Sequence, residues 1–143
     1  MTATTIDPKL ASELRIAVMR LARRLRRERA DDSLTTSQIS ALASIDGSGP
    51  ISLGELASLE YVQPPSMTRV VASLEQLELV RRTPHATDGR QILLEVTSAG
   101  RQLLAVDRAR RDAWLCLRLK ELSSEERRTL RAAAQIVERL ASS

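Results

Sequence analysis

The segment from Gln63 to Thr97 constrains this chain more than any other. It opens on Pro64-Pro65. Proline lacks an N–H and fixes φ near the helical value, so such a pair fits the first turn of a helix and no later turn. Met67, Val70, Val71, Leu74 and Leu77 then recur at i, i+3, i+4, i+7 and i+10, which makes one apolar helix face. The opposite face carries Ser66, Arg69, Ser73 and Gln76, with Thr68 and Ala72 beside it. Short polar groups and an arginine suit a helix in a DNA major groove, where Arg reads guanine and Ser or Thr meets base edges or phosphates. Any solvated helix face has a similar composition, so the helix alone does not decide.

The residues that follow are patterned differently. Leu79 to Thr83 reads as a strand, and Gln91 to Val96 alternates, with Ile92, Leu94 and Val96 on one side and Gln91, Leu93 and Glu95 on the other. Asp88-Gly89 between them favours a tight turn, because glycine tolerates positive φ. Arg90 then projects from a loop tip, where a bare guanidinium can enter a minor groove of strong negative potential. Asp88 is placed to hold that guanidinium in a bidentate pair. The plainer reading is an exposed Asp–Arg pair of little energetic value.

These residues resemble those of a known family. Asp88-Gly89-Arg90 followed by Thr97 is similar to a D-x-R wing motif whose second strand ends in Leu-Thr or Val-Thr. Leu34-Thr35, Gln38 and Leu42 look like an L-T-x-x-Q-x-x-x-L segment. Leu74-Glu75 with Leu79-Val80 and Arg82 is similar to L-E-x-x-G-L-V-x-R. The family is that of the MarR-type (multiple antibiotic resistance regulator) winged helix-turn-helix repressors, and the resemblance runs in register along nearly the whole chain. One departure is Glu78, which stands where the family usually has glycine. A non-glycine residue in a left-handed cap costs about 1–2 kcal/mol, so the helix is expected to end differently here.

The chain has 143 residues, enough for one compact domain with some extension. Phe is absent and Trp114 and Tyr61 stand alone, so the core must come from Leu, Val, Ile and Ala, a helix-rich composition. No apolar run approaches a membrane span, and the first residues lack a secretory pattern, so a cytoplasmic protein without membrane partners is expected. A single cysteine excludes an intramolecular disulfide framework.

Net charge is +4, unevenly spread. Residues 9–29 hold eight Lys and Arg against two Glu, whereas residues 31–97 hold four Arg against nine carboxylates. The expected DNA reader is therefore acidic overall, against a simple basic-patch argument. Its four arginines, Arg69, Arg81, Arg82 and Arg90, nevertheless all fall on the helix or the hairpin. The Arg run at 20–29 is either a solvated helix face or a source of phosphate contacts.

Taken in order, residues 1–7 are a polar tail, and a helix is expected from Pro8 to about Arg29 with a stripe of Leu10, Leu14, Ala17, Val18, Leu21 and Leu25. Asp31-Asp32-Ser33 should break it. Thr35 with Gln38 makes a capping-box pattern and opens a helix with Ile39, Leu42 and Ile45 inward. Asp46-Gly47-Ser48-Gly49-Pro50 reads as the loop that ends it; no Gly-Lys-Ser/Thr follows, so it is no nucleotide loop. Ile51 is expected to bridge to the wing. Ser52 and Glu55 cap a short helix with Leu53, Leu56 and Leu59 inward. A turn at Tyr61-Val62-Gln63 then leads into the proline-initiated helix, completing a helix-turn-helix pair.

Ser98 is expected to cap a second long helix to about Lys120, with Ala99, Leu103, Val106, Ala113 and Leu117 in one stripe. Ser123 and Glu126 start a last helix bearing Leu130, Ala133, Ala134, Val137 and Leu140. Apolar stripes at both ends of the chain call for a two-fold dimer in which the terminal helices of two copies pack together. The expected fold is thus mainly α with a small β-hairpin wing: a winged helix-turn-helix at 34–97, with dimerisation helices at 1–33 and 98–143.

The function expected is that of a dimeric DNA-binding regulator, a repressor by resemblance, on an inverted-repeat operator with half-sites roughly 34 Å apart. Gln63, Ser66, Thr68 and Arg69 are the candidates for the major groove and Arg90, flanked by Asp88, for the minor groove. Arg82 and Thr36 are candidates for phosphate, Thr36 because helix N-termini favour anions. The resemblance also implies release by a small phenolic or other aromatic effector held between winged and dimer domains. Some relatives sense oxidants through a cysteine near the first helix; this chain has none there, and Cys116 is expected to be a small buried hydrophobe. Trp114 is expected to serve packing. The competing reading is a winged-helix protein-interaction module that never touches DNA, which the acidic reader favours. An enzyme is not expected: His85 and Cys116 form no metal-ligand cluster, no cofactor motif occurs, and no nucleophile elbow is present.

Overall fold

The structure is a computed structural model that describes residues 5–29 and 33–143. Among the described residues the elements run α1 (Pro8–Arg26), α2 (Thr36–Ser48), α3 (Leu53–Leu59), α4 (Pro64–Gln76), β1 (Val80–Pro84), β2 (Ile92–Val96), α5 (Ser98–Lys120) and α6 (Ser124–Ala141). They form two compact units, residues 30–109 and residues 1–29 with 110–143. The division falls inside α5, not at Thr97, because the first turns of α5 bury Gly100 and Leu104.

In the first unit, local capping chemistry sets the helix starts. The Thr35 and Ser52 hydroxyls accept from the backbone N–H groups of Gln38 and Glu55, whose side chains reach back to the cap residues. Helix α2 runs through Asp46-Gly47-Ser48, three residues further than the glycine-rich pattern suggests, and stops at Gly49 with φ 72°. The core comes from Leu42, Ile45, Leu56, Met67, Val71, Leu74, Leu94 and Leu104, all essentially without solvent contact. Each such side chain contributes roughly 1.5–3 kcal/mol by leaving water.

Two expected inward residues are not inward. Leu59 and Leu77 are exposed, since each sits at a helix end where the chain turns away from the core. Ala57 is buried alongside Leu56 instead.

Strands β1 and β2 pair antiparallel, with Val80 opposite Val96 and Arg82 opposite Leu94. Ile51 adds the expected bridge, exchanging hydrogen bonds with Leu94 at 3.2 and 2.7 Å. Thr97, not Ser98, caps α5: its Oγ1 accepts from the Gly100 N–H at 3.1 Å.

The second unit is built from α1, the distal half of α5, and α6. Asp7 caps α1 by accepting from the Leu10 N–H, and Pro8 takes the first helical position. The helix ends at Arg26, short of the expected Arg29. The expected breaker Asp31-Asp32 lies outside the described residues, as does the start of the N-terminal tail. Ser123 and Glu126 form the expected capping box of α6.

Neither α1 nor α6 buries a single side chain. Trp114 is half-buried beneath two cations, with the Arg24 guanidinium 4.4 Å and that of Arg118 5.8 Å from its ring centre. Cys116 is exposed, contrary to expectation, because α5 buries nothing beyond Asp107. No described helix is long and apolar enough to cross a membrane.

Candidate nucleic-acid interface

The helix-turn-helix is made by α3 and α4, which pack against each other. The turn between them is a left-handed cap. Tyr61 has φ 54°, its N–H bonds the Ser58 carbonyl at 3.2 Å, and the Val62 N–H bonds that of Ala57 at 3.0 Å. This pairing is the Schellman arrangement, which normally uses glycine at the left-handed position. The Tyr61 side chain is 97% exposed.

Helix α4 ends the same way. Glu78 has φ 60°, its N–H bonds the Glu75 carbonyl at 2.9 Å, and the Leu79 N–H bonds that of Leu74 at 3.0 Å. The expectation that Glu78 would make the helix end differently is therefore not met. The left-handed cap forms without glycine, because burial of Leu74 and Leu79 across it offsets the steric cost.

Helix α4 presents its polar side to solvent. Gln63 occupies the N-cap position but makes no capping bond through its side chain, which leaves the amide free. Ser66, Thr68, Arg69, Ala72 and Gln76 are exposed. The Thr68 hydroxyl donates to the Pro64 carbonyl at 2.9 Å and keeps its lone pairs for an outside donor. Ser73 departs from the expected polar face. It accepts from Gln38 Nε2 at 2.9 Å and donates to the Val70 carbonyl at 2.6 Å, so it ties α4 to α2. Thr36 is exposed at the first position of α2.

The four arginines of this surface divide into two kinds. Arg81 pairs with Glu95 at 3.0 Å, and Arg82 Nε bonds Glu75 Oε1 at 2.6 Å. Arg82 thus braces β1 against the last turn of α4, and its guanidinium is partly neutralised before any phosphate arrives. The guanidinium groups of Arg69 and Arg90 make no ion pair or hydrogen bond among the described residues.

The expected Asp88–Arg90 side-chain pair does not form. Asp88 Oδ1 accepts instead from the backbone N–H of Arg90 at 3.1 Å, which shapes the loop and leaves the guanidinium bare. Gly89 has no positive φ, so the Asp-Gly turn does not use glycine's left-handed freedom. His85 organises the rest of the loop. Its Nδ1 accepts from the N–H groups of Thr87 and Asp88 at 3.2 and 3.1 Å, and its backbone N–H donates to the Gln91 carbonyl.

Two contributors escape sequence reasoning. Tyr61 shows no sign of its left-handed backbone. Glu75 meets Arg82 only because the cap at Glu78 folds the strand back along the helix.

Comparison with known proteins settles what this arrangement is. A model of the MarR family matches residues 34–92. An uncharacterized HTH-type transcriptional regulator of Mycobacterium leprae is 46% identical over 131 residues, covering 92% of each chain. The chain belongs to the MarR family. The chain is also similar to the HTH-type transcriptional repressor NicR of Pseudomonas putida, 31% identical over 72% of this chain and 65% of its own. A transcriptional regulator of Pseudomonas aeruginosa shares the fold with a TM-score of 0.82 at 35% identity, over 97% of this chain and 98% of its own. The resemblance to the MarR family is thus confirmed, and so is the mainly helical fold with a two-stranded wing. This MarR-family chain is an HTH-type transcriptional regulator.

Proposed function

We propose that the protein is a dimeric repressor. The two α4 helices would enter successive major grooves of an inverted-repeat operator, and Arg90 of each wing would enter the adjacent minor groove. The observation that carries this reading is the division among the arginines. Arg81 and Arg82 are held by carboxylates, whereas Arg69 on α4 and Arg90 at the wing tip have no partner among the described residues. A cation left bare on a surface otherwise rich in carboxylates is poised for an outside anion. Gln63, Ser66 and Thr68 would complete the major-groove contacts, with Thr36 at a phosphate. Arg82 serves in this reading mainly as the brace that fixes the wing to α4.

The apolar residues left open on α1 and α6, among them Leu10, Leu14, Leu21, Leu130 and Leu140, support the dimer. A second copy of the same helices would cover them. Release by an effector is supported by a cavity of about 380 Å³ within the winged unit. Leu34, Ile39, Leu103 and Val106 supply its apolar wall, and Gln102 and Asp107 its polar groups. That volume suits a single-ring molecule. Asp107, 3% exposed, lies on its polar side. The setting is the cytoplasm, and no catalytic step is assigned.

The competing reading, a protein-interaction module, draws on the acidic excess of the winged unit. Footprinting of genomic DNA with the purified protein, repeated as salt rises, separates the two. A regulator of this kind protects an inverted repeat, and its affinity falls steeply with salt. Absence of any protected site, or binding indifferent to salt, favours the protein module.

A further inference from the structure

The two units carry opposite charge. Residues 30–109 hold six Arg against ten carboxylates, and residues 1–29 with 110–143 hold sixteen Lys and Arg against eight carboxylates. Within the winged unit most of the positive charge is already engaged. Arg81, Arg82 and Arg108 are paired with Glu95, Glu75 and Asp46, and Arg101 donates to the Val96 carbonyl. Three of the ten carboxylates are neutralised by these pairs, and Arg69, Arg90 and Arg101 do not offset the remaining seven. A duplex presents one phosphate about every 1.7 Å of its axis, so a reader of this sign is repelled over the distance of a Debye length, about 8 Å. The attraction must come from elsewhere in the chain.

Helix α1 offers a defined source. Arg20, Arg23 and Arg27 are spaced i, i+3, i+7 and share one face where the helix ends. All three are exposed, and their guanidinium groups make no ion pair or hydrogen bond among the described residues. Their neighbour Arg24 is committed, pairing with Glu28 at 2.5 Å and lying over Trp114. At about 100° per residue, the middle of the row lies more than a third of a turn from the Leu10, Leu14, Leu21 and Leu25 stripe. A second copy of the chain that covers only this leucine stripe would leave the arginine row open, with the exposed Ile16 and Met19 bordering the row.

We propose that Arg20, Arg23 and Arg27 form a docking face for the sugar–phosphate backbone of duplex DNA, supplying affinity while α4 and the wing supply choice of sequence. The proposal rests on the DNA-reading function above and adds the separation of affinity from specificity. Guanidinium groups spaced along a helix suit phosphate oxygens, which they can meet bidentately, and such contacts carry no sequence information.

The test uses the full chain and a variant with Arg20→Gln, Arg23→Gln and Arg27→Gln. Fluorescence anisotropy measures binding to a random-sequence duplex and to the footprinted operator across a series of salt concentrations. The expected result is an equal drop in affinity for both duplexes, about tenfold or more at low salt. The slope of log K against log salt should become shallower by about 2–3 per chain, at about 0.9 for each phosphate no longer neutralised. The ratio of operator to random affinity should not move.

The corresponding triple lysine variant should keep the slope, which separates charge from folding defects. An unchanged slope in the glutamine variant, or a loss confined to the operator, overturns the proposal. So does an equal change of slope on replacing Arg128→Gln and Arg131→Gln of α6, because the effect would then be net charge and not a face. Wild-type protein that binds no duplex at all removes the DNA-reading function itself. Wild-type binding with an unaltered slope in the glutamine variant removes only this inference.

Discussion

The Thr97 hydroxyl donates to the carbonyl oxygen of Glu78 at 2.7 Å. Its own oxygen, Oγ1, accepts from the Gly100 N–H at 3.1 Å, and the Thr97 N–H donates to the Leu79 carbonyl at 3.0 Å. One side chain therefore caps α5 and ties it to the left-handed residue that ends α4. This fixes the angle between α4 and the wing. Thr97→Val keeps the shape and removes both side-chain bonds. We expect a loss of about 1–3 kcal/mol in urea unfolding, since a missing cap and an unpaired carbonyl each cost about 1 kcal/mol or more. An unchanged midpoint would show that the wing is held by other means.

Gly100 lies against this junction. A Cβ there would sit 2.4 Å from the Leu79 carbonyl oxygen and 2.6 Å from Val96 Cγ1. A backbone oxygen fixed in its hydrogen bond from the Thr97 N–H cannot move aside cheaply. Gly100→Ala should cost about 2–3 kcal/mol, at the upper end of overpacking effects. Thermal unfolding followed by circular dichroism checks this, and a melting temperature equal to wild type contradicts it.

Glu78 pays conformational strain at φ 60° without any side-chain ion pair among the described residues. Glycine there relieves the strain but gains freedom in the unfolded chain. Glu78→Gly should raise stability by about 0.5–1 kcal/mol. Tyr61→Gly should do likewise at φ 54°, since its exposed ring loses little packing. Guanidinium unfolding curves that shift to lower midpoint would refute the strain argument.

Much of this architecture is legible locally. The capping pairs Thr35–Gln38, Ser52–Glu55 and Ser123–Glu126 all form, because a capping box involves only residues three apart. The Ile51 bridge and the proline start of α4 are equally readable. What escapes a reading of the sequence depends on residues far apart in the chain. Arg82 meets Glu75, and Arg81 meets Glu95, only once strand register and the cap at Glu78 are set. Periodicity places Leu59 and Leu77 inward but cannot show where the chain leaves the core. Asp88 reads as a partner for Arg90, yet its carboxylate takes the nearer backbone N–H.

The open apolar stripes give a prediction of assembly. Leu14 of α1 and Leu140 of α6 are exposed in a single chain. We expect the wild type to sediment at twice its chain mass of 15.8 kDa. Leu14→Glu with Leu140→Glu should shift it to the single-chain mass, because burying unpaired carboxylates in an apolar interface costs several kcal/mol. A wild type that sediments as one chain at micromolar concentration contradicts the dimer.

The central claim is that bare arginines, not paired ones, read the DNA. Its most direct measurement is the operator affinity of Arg90→Ala beside that of Arg81→Ala, each by gel-shift titration at one fixed salt concentration. Arg90→Ala should weaken binding by about 1–3 kcal/mol while its melting temperature stays that of wild type. Arg81→Ala, which removes a guanidinium already held by Glu95, should change affinity by less than about 1 kcal/mol. Equal affinities for wild type and Arg90→Ala, or a larger loss at Arg81, would contradict the account.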